Sequence, residues 1–352
     1  MTLDTGVLLL GEHSPTRLAA LAQLAEALGY GYVWYADERF FREVYSGLTI
    51  IATRTSRVRL GPCVTDPYAR HPALTAMAIA TLDEISGHRA VLGLGAGVSG
   101  FKELGVTRDR PAVAMRETIE IVRALLRGER VAYDGAVVRA AGVRLNFAPP
   151  RAAVPIFVAS NAPRGLEVAG RLADGAIMQG CVADRALRYF KEHVARGATA
   201  AGRPPADVAL VARINVCIDD DPRVAKDLMR RSIANSLLAQ QPDFPGFVAA
   251  GLEVPQGLRE KLRGLSYGYG NDALARIAAE VPDVYVDSLT LAGTADDVAA
   301  GVARLTAAGI RQLLMFPMDP AGKIERTIER FATEVLPRAA RLAGGTTGRM
   351  LT

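Results

Sequence analysis

The sequence predicts an α/β fold of eight strand-helix units, the count that closes a (β/α)8 TIM barrel. Three observations carry this. Short apolar runs alternate strictly with stretches of helical period along the 352 residues. Some runs are apolar throughout, as in "TGVLLLG" (5–11), the mark of a strand buried on both faces of a parallel sheet. Half of the residues are hydrophobic, which supplies one large core. An open doubly wound sheet is the competing architecture, and the count alone leaves it open.

After the first strand, Thr16 to Leu28 places Leu18, Leu21, Ala22, Ala25 and Leu28 on one helical face, and Gly29 stops it. The second strand is "YVWYA" (32–36). A helix through about Thr55 and the strand "RVRLGP" (57–62) follow. Pro72 suits the first turn of the next helix, which runs to Ile85 and stops near Gly87. "AVLGLGAG" (90–97) is the fourth strand, and no helix is expected before the one from about Pro111 to Leu126. Residues 129–147 read as a polar hairpin turning at Asp134-Gly135. "VPIFVAS" (154–160), "DGAIMQG" (174–180) and "VALVARINVCI" (208–218) are strands five to seven, with helices over 164–173 and 183–200. Residues 222–282 read as an irregular helical insertion between strands seven and eight, broken by Gly and Pro. Helices over 295–308 and 321–341 flank the eighth strand, "QLLMFPM" (312–318). With no linker between domains, the expectation is one barrel domain over 1–345 and a tail over 346–352.

The totals narrow the function. No run reaches the roughly 18–20 apolar residues of a membrane span. The N-terminus lacks a basic n-region, so the expectation is a cytoplasmic chain without a signal peptide. Lys and Arg are scattered, so the net charge of +5 does not describe a nucleic-acid surface. A modest positive excess suits a small anionic molecule. Cys63, Cys181 and Cys217 are odd in number and far apart, and the four histidines show no H-E-x-x-H, which argues against disulfides and metal.

In a barrel the chemistry gathers where strands end. Glu12 and His13 follow strand one, and Asp37, Glu38 and Arg39 follow strand two. Asp219 and Asp220 follow strand seven, and Asp319 follows strand eight. Strands four to six end in small residues that let backbone approach a ligand. One side is ionisable and the other backbone-lined, an arrangement that fits a flat cofactor with acids at its reacting edge. Each feature has a plainer reading. Asp37 suits a helix cap, His71 a neighbour of the cap before Pro72, and the cysteines small buried hydrophobes. Gly95, Gly97 and Gly100 spell G-x-G-x-x-G, but after the fourth strand and without the immediate helix of a dinucleotide fold.

Three stretches together resemble the bacterial luciferase-like superfamily: "LAEALGYGYVWYADERFF" (24–41), "RLGPCVTDPYARHPALTAMAIATLDEISGHRAVLGLGAG" (59–97) and "PIFVASNAPRGLEVAGRLADGAI" (155–177). Within it they are most similar to the deazaflavin-dependent branch typified by methylenetetrahydromethanopterin reductase. The resemblance implies a luciferase-like barrel with an insertion, usually dimeric. It also implies coenzyme F420, which carries hydride at C5. A non-prolyl cis peptide behind the ring would fall at Cys63–Val64, with Thr65 continuing the bulge. Backbone amides of Gly95, Ala96 and Gly97 would face the ring's pyrimidine side. The cofactor phosphate would sit where Ala159, Ser160, Asn161 and Ala162 open a helix, with Gly180 nearby. Asp37 would touch the cofactor, Asp37, Glu38 and Glu12 are the candidate catalytic residues, and the acid would be Glu38, Glu12 or neither. Many relatives read Asp-His where this chain has Asp37-Glu38, a departure that points to a related reduction of another imine, enone or ketone. The alternative is an FMN-dependent monooxygenase on the same fold, and a catalytically silent cofactor-binding protein is a third reading.

Overall fold

A computed structural model describes residues 3–97, 99–265, 267 and 273–347. In chain order the elements begin β1 (Asp4–Leu9), α1 (Pro15–Ala27), β2 (Tyr32–Tyr35), α2 (Val44–Arg54), β3 (Arg59–Pro62), α3 (Pro72–Ile85) and β4 (Leu92–Gly95). Then come α4 (Phe101–Leu104), α5 (Pro111–Leu126), β5 (Val131–Asp134), β6 (Arg139–Val143), β7 (Ile156–Ala159), α6 (Pro163–Leu172), β8 (Gly175–Gln179), α7 (Asp184–Ala200) and β9 (Ala209–Ile218). The chain continues through α8 (Pro222–Ala239), α9 (Pro245–Ala250), α10 (Gln256–Leu262), α11 (Ala273–Ala278), α12 (Asp283–Leu289) and β10 (Thr290–Gly293). It ends with α13 (Ala295–Ala307), β11 (Gln312–Met318), α14 (Ile324–Arg330) and α15 (Leu336–Thr347).

Eight strands follow the order β3-β2-β1-β11-β9-β8-β7-β4. Bridges Leu60↔Ala90 and Thr65↔Leu94 join the regions of the two end strands, so the order returns on itself as in a (β/α)8 barrel. β5 and β6 form the antiparallel hairpin expected at 129–147. Helix starts are capped by side chains as their sequences require. Ser14 Oγ accepts from Arg17 N, Glu43 from Ser46 N, and Thr294 with Asp297 forms a capping box on α13.

The chain packs as two compact units, Leu8–Ile177 with Lys191–Leu210, and Met1–Val7 with Met178–Phe190 and Val211–Thr352. The boundary falls within β1, β8, α7 and β9, where the sequence offers no linker. In the first unit the buried Trp34 packs edge-on against Phe157, with ring centroids 5.5 Å apart. In the second, α8 to α12 build an apolar cluster that includes Met229, Ile233, Phe247, Leu262 and Tyr285. Phe247 and Tyr285 meet at 5.5 Å.

Three elements differ from the sequence expectation. A one-turn helix, α4, opens directly after Gly100, whose φ of +67° lets the chain turn into it. β10 pairs with β9, but its "TLAG" is too short an apolar run to read as a strand. The single helix expected over 321–341 is α14, a π-helical turn at Phe331–Val335, and α15. Pro337 lacks the N–H that would close the normal turn behind it, which accounts for the widening. Of the expected tail, Thr346 and Thr347 belong to α15, and 348–352 lie outside the described residues.

Candidate active site

The candidate site is built in the Leu8–Ile177 unit, at the ends of β2, β3, β4 and β7. β2 is buried along its length and delivers Asp37, Glu38 and Arg39, all half-buried. After β3 the Cys63–Val64 peptide bond is cis. Cys63 N donates to Tyr35 O at 2.8 Å, and Thr65 N to Gly93 O at 3.0 Å. The Val64 side chain packs against two glycines of β4. A Cβ on Gly93 or Gly95 would lie 3.3 or 2.5 Å from its methyl groups. A Cβ on Gly93 would also sit 2.2 Å from the Pro62 carbonyl oxygen. Gly93→Ala is therefore expected to cost about 1–3 kcal/mol, read as a lower urea midpoint with the fold retained.

The β4 glycines thus make room for the segment after β3. The N–H of Gly95 donates to Thr65 O at 3.0 Å, so the expectation that this amide serves a ligand is corrected. Gly97 has a φ of +64°, and its carbonyl accepts from Arg108 Nη1 at 2.8 Å.

A buried ion pair ties these loops together. Arg39 Nη2 donates to Asp66 Oδ2, and the two side chains are 10% and 2% exposed. Asp66 Oδ1 accepts from the amides of Tyr68 and Ala69 at 2.8 and 2.9 Å. The Arg39 guanidinium lies 5.2 Å above the Phe101 ring. Gly100 is small for this reason, since a Cβ there would fall 2.4 Å from Arg39 Cγ. The G-x-x-G spacing therefore serves Arg39 and Phe101. Sequence reading missed Asp66, Ser99 and Phe101. The available signal was an acid and an arginine ending the sequence-adjacent strands β2 and β3.

The three candidate acids separate. Burial pushes the Glu38 carboxyl above its ordinary range, and the nearby Asp37 charge adds to this. A hydrogen bond from the buried Ser99 hydroxyl and the positive Arg39 oppose the rise. Asp37 is not a helix cap, since Glu43 caps α2, and its carbonyl accepts from Arg39 Nη1 at 3.2 Å. The Glu12 side chain is 53% exposed, with His13 Nε2 3.7 Å away, and Arg42 Nη1 binds its carbonyl at 2.9 Å.

Other expected residues take structural places. His71 caps α3, its Nδ1 accepting from Ala73 N at 3.1 Å and its Nε2 meeting Arg139 O at 2.8 Å. Ser160 Oγ accepts from Ala162 N at 3.1 Å, and the N-cap residue of α6, Ala162, has no side-chain cap. Ala159 ends β7 beside them, with Asn161 between. Gly180 belongs to the other unit, and its N–H donates to Arg213 O at 3.2 Å, so that amide is engaged within the sheet. Burial pushes the Cys181 and Cys217 thiols up to about 12, which removes them as nucleophiles. In the second unit Asp219 pairs with Arg326 at 3.3 Å and Asp220 with Arg330 at 2.8 Å. Among the described residues no group of three His, Cys, Asp or Glu could hold a metal ion.

The family model described as "luciferase-like monooxygenase" matches residues 3–312. The chain belongs to the luciferase-like family. Among relatives of this luciferase-like chain is the 5,10-methylenetetrahydromethanopterin reductase of Archaeoglobus fulgidus. It is 33% identical over 318 residues, covering 90% of this chain and 93% of the relative. The F420-dependent glucose-6-phosphate dehydrogenase of Nocardia farcinica is 32% identical over 65% of this chain and 73% of its own length. The solved structure of the coenzyme F420-dependent tetrahydromethanopterin reductase from Methanopyrus kandleri matches with a TM-score of 0.81. Its identity is 27%, over 96% of this chain and 99% of that one.

Proposed function

We propose that this luciferase-like protein is an oxidoreductase that transfers a hydride between coenzyme F420 and a small organic substrate with a C=N, C=C or C=O group. The observation that carries the reading is a strand-end site divided between backbone and one protonatable acid. Its backbone side fits a flat anionic cofactor. Val64 and Thr65, after Cys63, offer a wall without charged side chains, and the Thr65 hydroxyl is buried with no partner among the described residues. Ala96 and Gly97 present main chain, and Ser160 to Ala162 open a helix whose N-cap residue is an alanine, a setting that favours phosphate. Bound there, the deazaflavin would supply the hydride carried at C5.

The chain's own residues then orient and protonate. Arg39, Asp66 and Phe101 hold the loops after β2, β3 and β4 in one arrangement. Glu38 keeps its proton to a higher pH than a solvated carboxyl. It gives that proton to the substrate nitrogen, oxygen or carbon next to the carbon that accepts hydride, so hydride and proton together reduce the double bond. In the oxidative direction Glu38 accepts the proton. Asp37 beside it helps keep that proton in place.

Titrating the protein with F420 and with FMN tests this choice. F420 is expected to bind, followed by turnover of imine, enone or ketone substrates. Tight FMN binding with oxygen consumption and no response to reduced F420 favours the monooxygenase chemistry that the family description names.

The reading includes a homodimer in the cytoplasm. Leu74, Met77 and Ile85 form an exposed apolar stripe on α3, at 50, 45 and 43% exposure. Met77→Glu is expected to shift the protein from dimer to monomer in light scattering. The free cysteines fit a reducing compartment, and among the described residues no helix is long and apolar enough to cross a membrane.

A further inference from the structure

We propose that the unit of Met178–Phe190 and Val211–Thr352 carries a ligand subsite of its own, a cavity that takes one oxyanion, a carboxylate or phosphate, of a small molecule. It lies on β8 and β9, beside α8. Residues two apart on a strand share a face, so Arg213 and Asn215 of β9 point the same way. Asn215 is 6% exposed. Its Oδ1 accepts from Arg213 Nη1 at 2.7 Å, and its Nδ2 donates to Ser232 Oγ. That pattern settles which way the amide faces. The Phe316 ring lies 4.9 Å from the guanidinium carbon. An amide oxygen and an aromatic face together orient the guanidinium fork before any ligand arrives.

The remaining walls suit an anion. Gln179 Nε2 donates to Ser236 Oγ at 3.4 Å, and the Ser236 hydroxyl donates to Ser232 O at 3.1 Å. Gly180, with φ +66°, contributes a wall without a side chain. The lining side chains supply one cation, amides and hydroxyls, and no carboxylate among the described residues. In such a half-buried setting a guanidinium attracts an oxyanion more strongly than it does at a wet surface. The cavity is small. The cavity therefore accepts one end group of a ligand and not a ring system.

The proposal holds whichever redox cofactor the chain uses. Two sources supply the same chemistry: an acidic group on the substrate, or the acidic groups of a bound cofactor. Calorimetric titration of the full chain with inorganic phosphate, and separately with acetate, tests it. Phosphate is expected to bind at millimolar concentration or tighter. Arg213→Met is expected to weaken binding at least 10-fold, and Arg213→Lys, which keeps charge without the fork, by less. Ser236→Met fills the cavity without touching the charge and is expected to weaken binding as well, which guards against a misfolded arginine variant. Repeating the titration with saturating F420 separates the sources. Unchanged phosphate affinity assigns the subsite to substrate, and lost affinity assigns it to the cofactor's own acidic groups. No binding of either anion to the unsubstituted protein, or an affinity in Arg213→Met and Ser236→Met unchanged from the unsubstituted protein, overturns the proposal. Failure of F420 to bind leaves the phosphate result standing, so the two readings fail separately.

Discussion

Glu38→Gln is expected to slow turnover by roughly 10²- to 10⁴-fold, the usual worth of a positioned acid or base. Cofactor affinity should stay within about threefold, because the amide keeps the shape and a hydrogen bond to Ser99. In the reductive direction the rate with Glu38 intact should fall as pH rises through the raised pKa of this carboxyl. Glu38→Gln should flatten that limb. Stability moves the other way. The folded pKa lies above the ordinary value of 4.5, so the protonated form suits the fold and the charged form is penalised. Below the unfolded pKa both proteins carry a neutral group and should melt alike. As pH rises through the folded pKa, the unsubstituted protein loses stability and the variant does not. Glu38→Gln should therefore melt higher at pH 8, with the gap closing near pH 4. A turnover number unaffected by the substitution would remove Glu38 from the chemistry.

Asp66→Ala is expected to be the most destabilising single change in the site, at about 3–5 kcal/mol. The Asp66 side chain is 2% exposed, and its removal leaves the Arg39 guanidinium buried without its charge partner. The amides of Tyr68 and Ala69 lose their acceptor at the same time. Chemical denaturation measures the loss. The double variant Arg39→Met/Asp66→Ala should recover part of it, because the unpaired cation is gone. Equal loss in the single and double variants would mean that the pair does not couple. Reduced F420 affinity in Asp66→Ala, at temperatures where the fold persists, would tie the loops to the cofactor.

The strands were legible because burial on both faces writes itself as continuous apolar runs. β11 falls on "QLLMFPM" and α3 on Pro72–Ile85 as expected. β10 was not legible, because four residues with one leucine carry no period. The site was legible where chemistry is local to one strand end, as at Asp37-Glu38. It was hidden where one residue serves another far along the chain. Gly95 and Gly100 look like a ligand cradle, yet their missing side chains make room for Val64 and Arg39. Asp66, between Thr65 and Pro67, carries no local signal of its role, which shows only once Arg39 stands against it. Gly180 was grouped with the α6 start, but its amide belongs to the sheet through Arg213.

The most direct test of the central claim uses reduced F420 carrying deuterium at both C5 positions, incubated without oxygen with the protein and an imine, enone or ketone. Mass spectrometry of the product follows the label. The account predicts one deuterium on the product carbon and loss of the reduced cofactor at a matching rate. An unlabelled product, or turnover that requires FMN and oxygen and leaves the deuterated cofactor intact, would contradict it.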